Sequence, residues 1–241
     1  MVQRDSRAVP TQPAGHAGGD GSTTSTDLIV RSVTDAIVDH RLMPGTKLAE
    51  QKLADIYGVS RTVVRQALMQ LARDRLVTIE PARGAHVAMP SVDEARQIFE
   101  LRRMIETQMI ERLCRVVTDG QLAALRDHLS REAAATGTPD VPRRTRLLGD
   151  FHVVLARMLG NDVLTDMLAD LTARTSLVTL LYQSARSAVD SSEEHVQIVD
   201  ALARRRPKEA AEHMHTHLEN VELNLRLDPR TPDLGAVLRG R

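Results

Sequence analysis

Ser60, Arg61, Thr62 and Arg65 stand close together in this chain, and Arg83-Gly84 follows a short distance on. These residue types suit contact with a nucleic acid. Arginine carries a planar fork that can bond guanine O6 and N7 together, or clamp a phosphate. Ser60 and Thr62 can donate to phosphate oxygens beside backbone amides left free at a helix start. A glycine at a turn tip lets the backbone approach a minor groove, with Arg83 next to it. Between Ser60 and Arg83 there are five arginines (Arg61, Arg65, Arg73, Arg75 and Arg83) against two acids (Asp74 and Glu80). Over the whole chain 32 Lys and Arg balance 32 Asp and Glu. The argument for nucleic acid therefore rests on where charge is placed, not on its total.

These side chains need elements to hold them. Gly58 suits the end of a helix over about Glu50 to Tyr57, where a left-handed residue is often required. Ser60 is a good N-cap for a second helix from Arg61 to about Arg73. On that helix Val64, Leu68 and Leu71 face inward, and Arg61, Thr62 and Arg65 face outward. Leu76 to Glu80 reads as a strand, Pro81 to Gly84 as a turn, and Ala85 to Ala88 as a return strand. A helix from Thr26 to about His40, capped by Ser25 or Thr26, precedes them. One arginine on one helix is ordinarily just solvated. Helix, Gly-Val-Ser turn, Arg-led helix and Gly-tipped hairpin in this order make a winged helix-turn-helix, in which the second helix enters the major groove.

The 241 residues allow two ordinary domains, and 42% are apolar, with aromatics only 2%. A core of Leu, Val, Ile, Ala and Met suits helix-on-helix packing. Residues 1–25, rich in Gly, Ser, Thr and Pro, are expected to be a disordered leader. The winged domain spans 26–89. Ser91-Val92-Asp93-Glu94 is a capping box that opens a second, all-α domain over 91–228, and 229–241 reads as a loose tail. Helices are expected near 91–98, 100–116, 118–135, 141–158, 161–184, 191–204 and 207–225. The overall class is mainly α. Cys114 is the single cysteine, which fits a reducing compartment. No signal-peptide core or membrane-spanning apolar run is evident, so a cytoplasmic protein with no membrane partner is expected.

Specific residues also carry a resemblance. Pro44-Gly45-Thr46-Lys47-Leu48, Leu53-Ala54, Gly58 to Thr62, Val64 to Leu68, Leu71, Leu76-Val77 and Arg83-Gly84-Ala85 resemble the GntR family of bacterial transcription regulators, from about Thr26 to Ala88. That resemblance implies that Ser60, Arg61, Thr62, Arg65 and Gly84 touch DNA. Val63 stands where Pro is usual, and Gln66 replaces a common Glu. The second domain resembles the FadR-like FCD domain through Leu101 to Glu106, Phe151-His152, Gly160-Asn161, Glu194-His195 and His217-Leu218. In such domains an Asp and three histidines hold a divalent metal that helps bind a carboxylate effector. The histidines map to His152, His195 and His217. The Asp position is Leu148, which cannot ligate, and Asp150 points to another side of its helix. A three-His site completed by water or effector suits zinc or nickel; a metal-free polar pocket is the alternative. Arg102 either faces that cavity and pairs with an anionic effector, or forms an i,i+4 ion pair with Glu106.

The expected function is a homodimeric, ligand-responsive DNA-binding repressor that reads a two-fold symmetric double-stranded operator. Its effector would be a small organic acid held by Arg102, His152, His195 and His217. The other readings are a metal-dependent enzyme using the three-His site and a helical adaptor that does not bind DNA. No HExxH motif, nucleophile elbow or phosphate-cradling Gly loop supports catalysis, and an adaptor leaves the Arg-led helix without a purpose.

Overall fold

The computed structural model describes residues 24–136, 138–182 and 187–225. The expected tail, and the expected leader up to residue 23, lie outside these. Thr24 and Ser25 do not belong to a leader. Thr24 is the N-cap of α1 (Ser25–Val38), and its side chain and the Asp27 carboxylate form a reciprocal capping box. The cap thus falls one residue before the expected Ser25 or Thr26. Ile29, Val33 and Ile37 lie on one face of α1 and are buried.

Helix α2 (Glu50–Tyr57) ends at Gly58, whose φ of 64° is left-handed. Helix α3 (Arg61–Arg73) is capped by Ser60, whose Oγ accepts from the Val63 amide at 3.4 Å. A proline at 63 would lack that N–H, so valine serves this cap. Strands β1 (Val77–Glu80) and β2 (Gly84–Val87) pair antiparallel, with Val77 opposite Val87 and Glu80 opposite Gly84. The segment before α2 extends this wing, because Leu48 donates to Ala85 O and Val87 donates to Thr46 O.

The second domain comprises α4 (Val92–Val116), α5 (Asp119–Thr136), α6 (Val141–Met158), α7 (Asp162–Tyr182), α8 (Ser187–Ala203) and α9 (Pro207–Leu223). Ser91 caps α4, accepting from the Glu94 amide. The expected break between 98 and 100 does not exist. No Gly or Pro interrupts 92–116, and Phe99, inside the continuous helix, is fully buried. Helix α8 begins at Ser187 rather than near 191.

Two cores form. The bundle core joins Phe99, Ile110, Leu113, Phe151, Leu155, Leu168, Ile198 and Leu218. The core of the DNA-reading head joins Ile29, Ile37, Val64, Leu68, Leu71 and Val87, and it also takes in Ala173 and Leu177 of α7. The head is therefore not a bead on a string. One face of α7 completes its core. Arg146 of α6 reinforces the contact, with Nε 2.6 Å from Asp39 and Nη2 3.0 Å from Asp35.

Candidate functional site

Two arrangements carry chemistry, one on the head and one inside the bundle. On the head, the first turn of α3 presents Arg61, Thr62 and Arg65 to solvent. The two arginines are not free rods. The Glu50 carboxylate, at the start of α2, takes Arg65 Nε at 2.9 Å and Nη2 at 2.8 Å, and Arg61 Nη2 at 3.2 Å. Hydrogen bonds from Arg65 outweigh the upward push of desolvation on Glu50 and, with Arg61, hold its carboxyl at about 2. Ser60 Oγ accepts the cap bond, which leaves its hydroxyl proton available to a phosphate. At the wing tip Ala82 and Gly84 both have positive φ, 66° and 85°. A Cβ added at Gly84 would meet nothing within 4 Å, so the tip has open space on that side. Arg83 Nη1 rests 2.9 Å from Glu80, and both side chains are well exposed. Of the sequence-predicted reading residues, Arg61, Arg65, Arg83 and Gly84 line one groove, without Ser60 and Thr62, and Glu50 joins them. Its role was not visible from spacing, because it lies on another helix.

Inside the bundle, His152 of α6, His195 of α8 and His217 of α9 converge. His217 Nε2 lies 3.3 Å from both His195 Nε2 and His152 Nε2. One ligand atom from each ring falls within 4.8 Å of the others. Each ring is held from behind by a carboxylate at Nδ1. His152 faces Glu106 at 2.5 Å, His195 faces Glu132 at 3.0 Å, and His217 faces Glu194 at 2.7 Å. Phe151 stacks on His195 with ring centroids 3.8 Å apart and fixes its plane. Burial drives His152 and His217 down to about 4 despite their carboxylates, and it lowers His195 in the same way. Burial thus favours the neutral form of all three rings.

A neutral ring that donates Nδ1–H to a carboxylate has a bare lone pair at Nε2. Three such lone pairs pointing at one another repel, and a cation between them removes the repulsion. Zinc with N at about 2.0–2.1 Å in a tetrahedron separates its ligand nitrogens by about 3.3–3.4 Å. That matches the two 3.3 Å separations. The donor set fits a divalent metal. Leu148, at the position where the resemblance places an Asp, lines the cavity beside His152, and Asp150 is not in the cluster. A metal held by these three residues would leave its remaining coordination to water or a ligand.

That cavity measures about 360 Å³. Arg102 lines it from α4 and also makes the i,i+4 ion pair with Glu106. Its Nε is 2.6 Å from Glu106, its Nη1 reaches Thr175 Oγ1 at 3.3 Å, and its Nη2 has no partner among the described residues. Burial alone would raise Glu106, but Arg102 and His152 bring it down to about 2. Gly149 is required where α6 crosses α7: a Cβ there would lie 2.9 Å from Thr172 Cγ2. Sequence reasoning missed Glu106, Glu132, Glu194 and His128 as supports. Only His128 and Glu132, i and i+4 on α5 and 3.1 Å apart, left a local signal.

Comparison with known proteins matches a family description to each of the two domains. Residues 26–87 match "Bacterial regulatory proteins, gntR family", and residues 97–220 match "FCD domain". The HTH-type transcriptional repressor RspR of Escherichia coli K12 is 26% identical over 199 residues, covering 82% of this chain and 87% of that protein. The Nta operon transcriptional regulator of Aminobacter aminovorans is 27% identical over 183 residues, covering 76% and 85%. A crystal structure described as a transcriptional regulator GntR from Rhodococcus sp. RHA1 superposes with a TM-score of 0.73 at 25% identity, covering 82% of this chain and 95% of that one.

Proposed function

This chain belongs to the GntR family of bacterial regulatory proteins, with an FCD domain behind its DNA-reading head, and from that premise we propose how it works. It is a DNA-binding regulator of transcription and not an enzyme. Ser60, Arg61, Thr62, Arg65, Arg83 and Gly84 contact operator DNA, the α3 residues in the major groove and the wing tip in the minor groove. Two copies form a homodimer and read the halves of a two-fold symmetric site. It acts in the cytoplasm as a repressor, the role that the name of the E. coli relative carries. No helix among the described residues is long and apolar enough to cross a membrane.

The effector is a small organic acid bound in the cavity by Arg102 and the three-His centre. His152, His195 and His217 hold a zinc or nickel ion, which supplies a Lewis-acidic position for a carboxylate. Arg102 adds a charged donor, Leu148 supplies no ligand atom, and the Glu106, Glu132 and Glu194 carboxylates would keep the rings in the ligating tautomer. The effector changes operator affinity only as far as it binds two arrangements of the dimer unequally. The observation that carries this reading is the joint presence of an Arg-led, Ser-capped helix on the head and a carboxylate-backed His cluster in a cavity behind it. Selection from random duplex DNA tests it. The purified protein should enrich an inverted repeat and bind it as a dimer; recovery of no common sequence contradicts it.

A further inference from the structure

Four buried side-chain polar atoms among the described residues lack a hydrogen-bond partner within the protein. Three of them line the effector cavity: Arg102 Nη2, Thr172 Oγ1 and His40 Nε2. Buried polar groups are normally paired, so three unpaired ones around one cavity mark the places where a ligand would supply partners. Arg102 and Thr172 belong to the bundle and are nearly fully buried. His40 does not belong to the bundle. It follows α1 in the DNA-reading head and, among the described residues, is the one head residue in the lining of this cavity.

The local structure aims His40 there. It ends α1 in the left-handed region, with φ 55°, and its amide bonds Ile37 O at 2.9 Å. Histidine is among the few non-glycine residues that enter this region with some frequency. Its neighbour Asp39 is tied to Arg146 of α6 at 2.6 Å, which fixes the turn against the bundle. Arg144, two residues before Arg146 on α6, lines the same cavity. The cavity is thus polar at two ends. The deep end holds Arg102 and the histidine cluster, all buried. The shallower end holds His40 and Arg144, both partly exposed.

We propose that His40 is a ligand contact, and that the effector is a short dicarboxylate whose outer acid group is bound by His40 and Arg144 while its inner one meets Arg102 and the histidine centre. This rests on the effector reading above and adds a mechanism to it. The ligand touches the head and the bundle at once, so its binding acts on the head's position directly. The shared helix α7 gives the motion a second path, since it lines the cavity through Thr172 and completes the head's core through Ala173 and Leu177.

The test uses the full-length protein as purified and the straight-chain dicarboxylates from oxalate to adipate, each beside the monocarboxylate of equal length. Binding is followed by calorimetry and by thermal stabilisation, with the unliganded melting temperature of each variant as the folding control. The wild type should prefer one dicarboxylate over its monocarboxylate partner. His40→Asn tolerates the left-handed backbone and should lose about ten- to a hundred-fold in affinity for the dicarboxylate, the size of a charge-assisted hydrogen bond, with the monocarboxylate unchanged. Arg144→Gln should do the same from the other side. If both variants keep the preference while Arg102→Gln loses binding, the His40 contact is wrong and the effector cavity stands. If no acid binds the wild type, the dicarboxylate class and the His40 contact are both wrong. If, besides, the purified wild type carries no metal, the cavity reading itself is wrong.

Discussion

The head and the bundle use the same pairing, a nitrogen base held by a glutamate, in opposite surroundings. On the head, Glu50 holds Arg61 and Arg65 in water, and the arginine side chains remain about 60% exposed. In the bundle, Glu106, Glu132 and Glu194 hold three histidines of which none is more than 4% exposed. An exposed ion pair contributes little stability, because water screens it and holding long side chains costs entropy. It does set direction: Glu50 splays two guanidinium groups on the reading face and gives them up cheaply when a phosphate or base edge offers a better partner. In the bundle the pairing fixes tautomer and ring plane, and removing one member strands another. A surface meant to exchange partners and a centre meant to keep them therefore differ less in chemistry than in access to water.

The contrast can be sharpened by breaking each pairing. The largest effect belongs to Glu106→Ala, which leaves the buried Arg102 charge without its partner. Unfolding in urea should show a loss of about 3–5 kcal/mol. A loss below about 1 kcal/mol would mean that Arg102 finds water in the cavity.

Acid should come next. In the metal-free protein, His152 and His217 take up protons near 6.5 when unfolded but only near 4 when folded. Their contribution to stability is complete above pH 6.5 and is lost as pH falls from 6.5 towards 4, since the unfolded chain binds the protons first. Glu106 acts in the same direction over a lower window, from about 4.5 down to about 2. The melting temperature should decline through the range 6.5 to 4, and His152→Phe should flatten part of that decline. A flat profile in wild type contradicts neutral rings.

A smaller change is expected from Glu132→Gln. It weakens the carboxylate behind His195, and metal affinity should drop about ten- to a hundred-fold while the fold persists. Elemental analysis after dialysis against a graded chelator series measures this. The smallest effect on stability belongs to Glu50→Gln, which should leave the melting curve nearly unchanged yet reduce discrimination between operator and random DNA. If it changes stability as much as Glu106→Ala does, the contrast between the two regions fails.

The head was legible in the sequence because its signals are local. Gly58 and Ser60 set the turn by their own conformational and capping preferences, and the wing follows from Gly84. The break expected near residue 99 had no such signal, and Phe99 shows why reading periodicity alone misled: the helix turns its apolar face inward without stopping. The histidine trio was legible by resemblance and Leu148 by its mismatch. The carboxylates behind the rings were not, because Glu106 pairs across to His152 and Glu132 across to His195 on other helices. His40 read only as the end of the first helix, since nothing in the chain around it shows that α1 ends against α6.

The central claim is that the exposed pair Arg61 and Arg65 reads DNA while contributing little to the fold. Fluorescence anisotropy on the selected operator, with wild type beside Arg61→Ala, Arg65→Ala and the double variant, measures it most directly. Each single change should weaken binding about ten- to a hundred-fold, with melting temperature unchanged and with a shallower dependence on salt where a phosphate contact is lost. Operator affinity equal to wild type in the double variant would contradict the account.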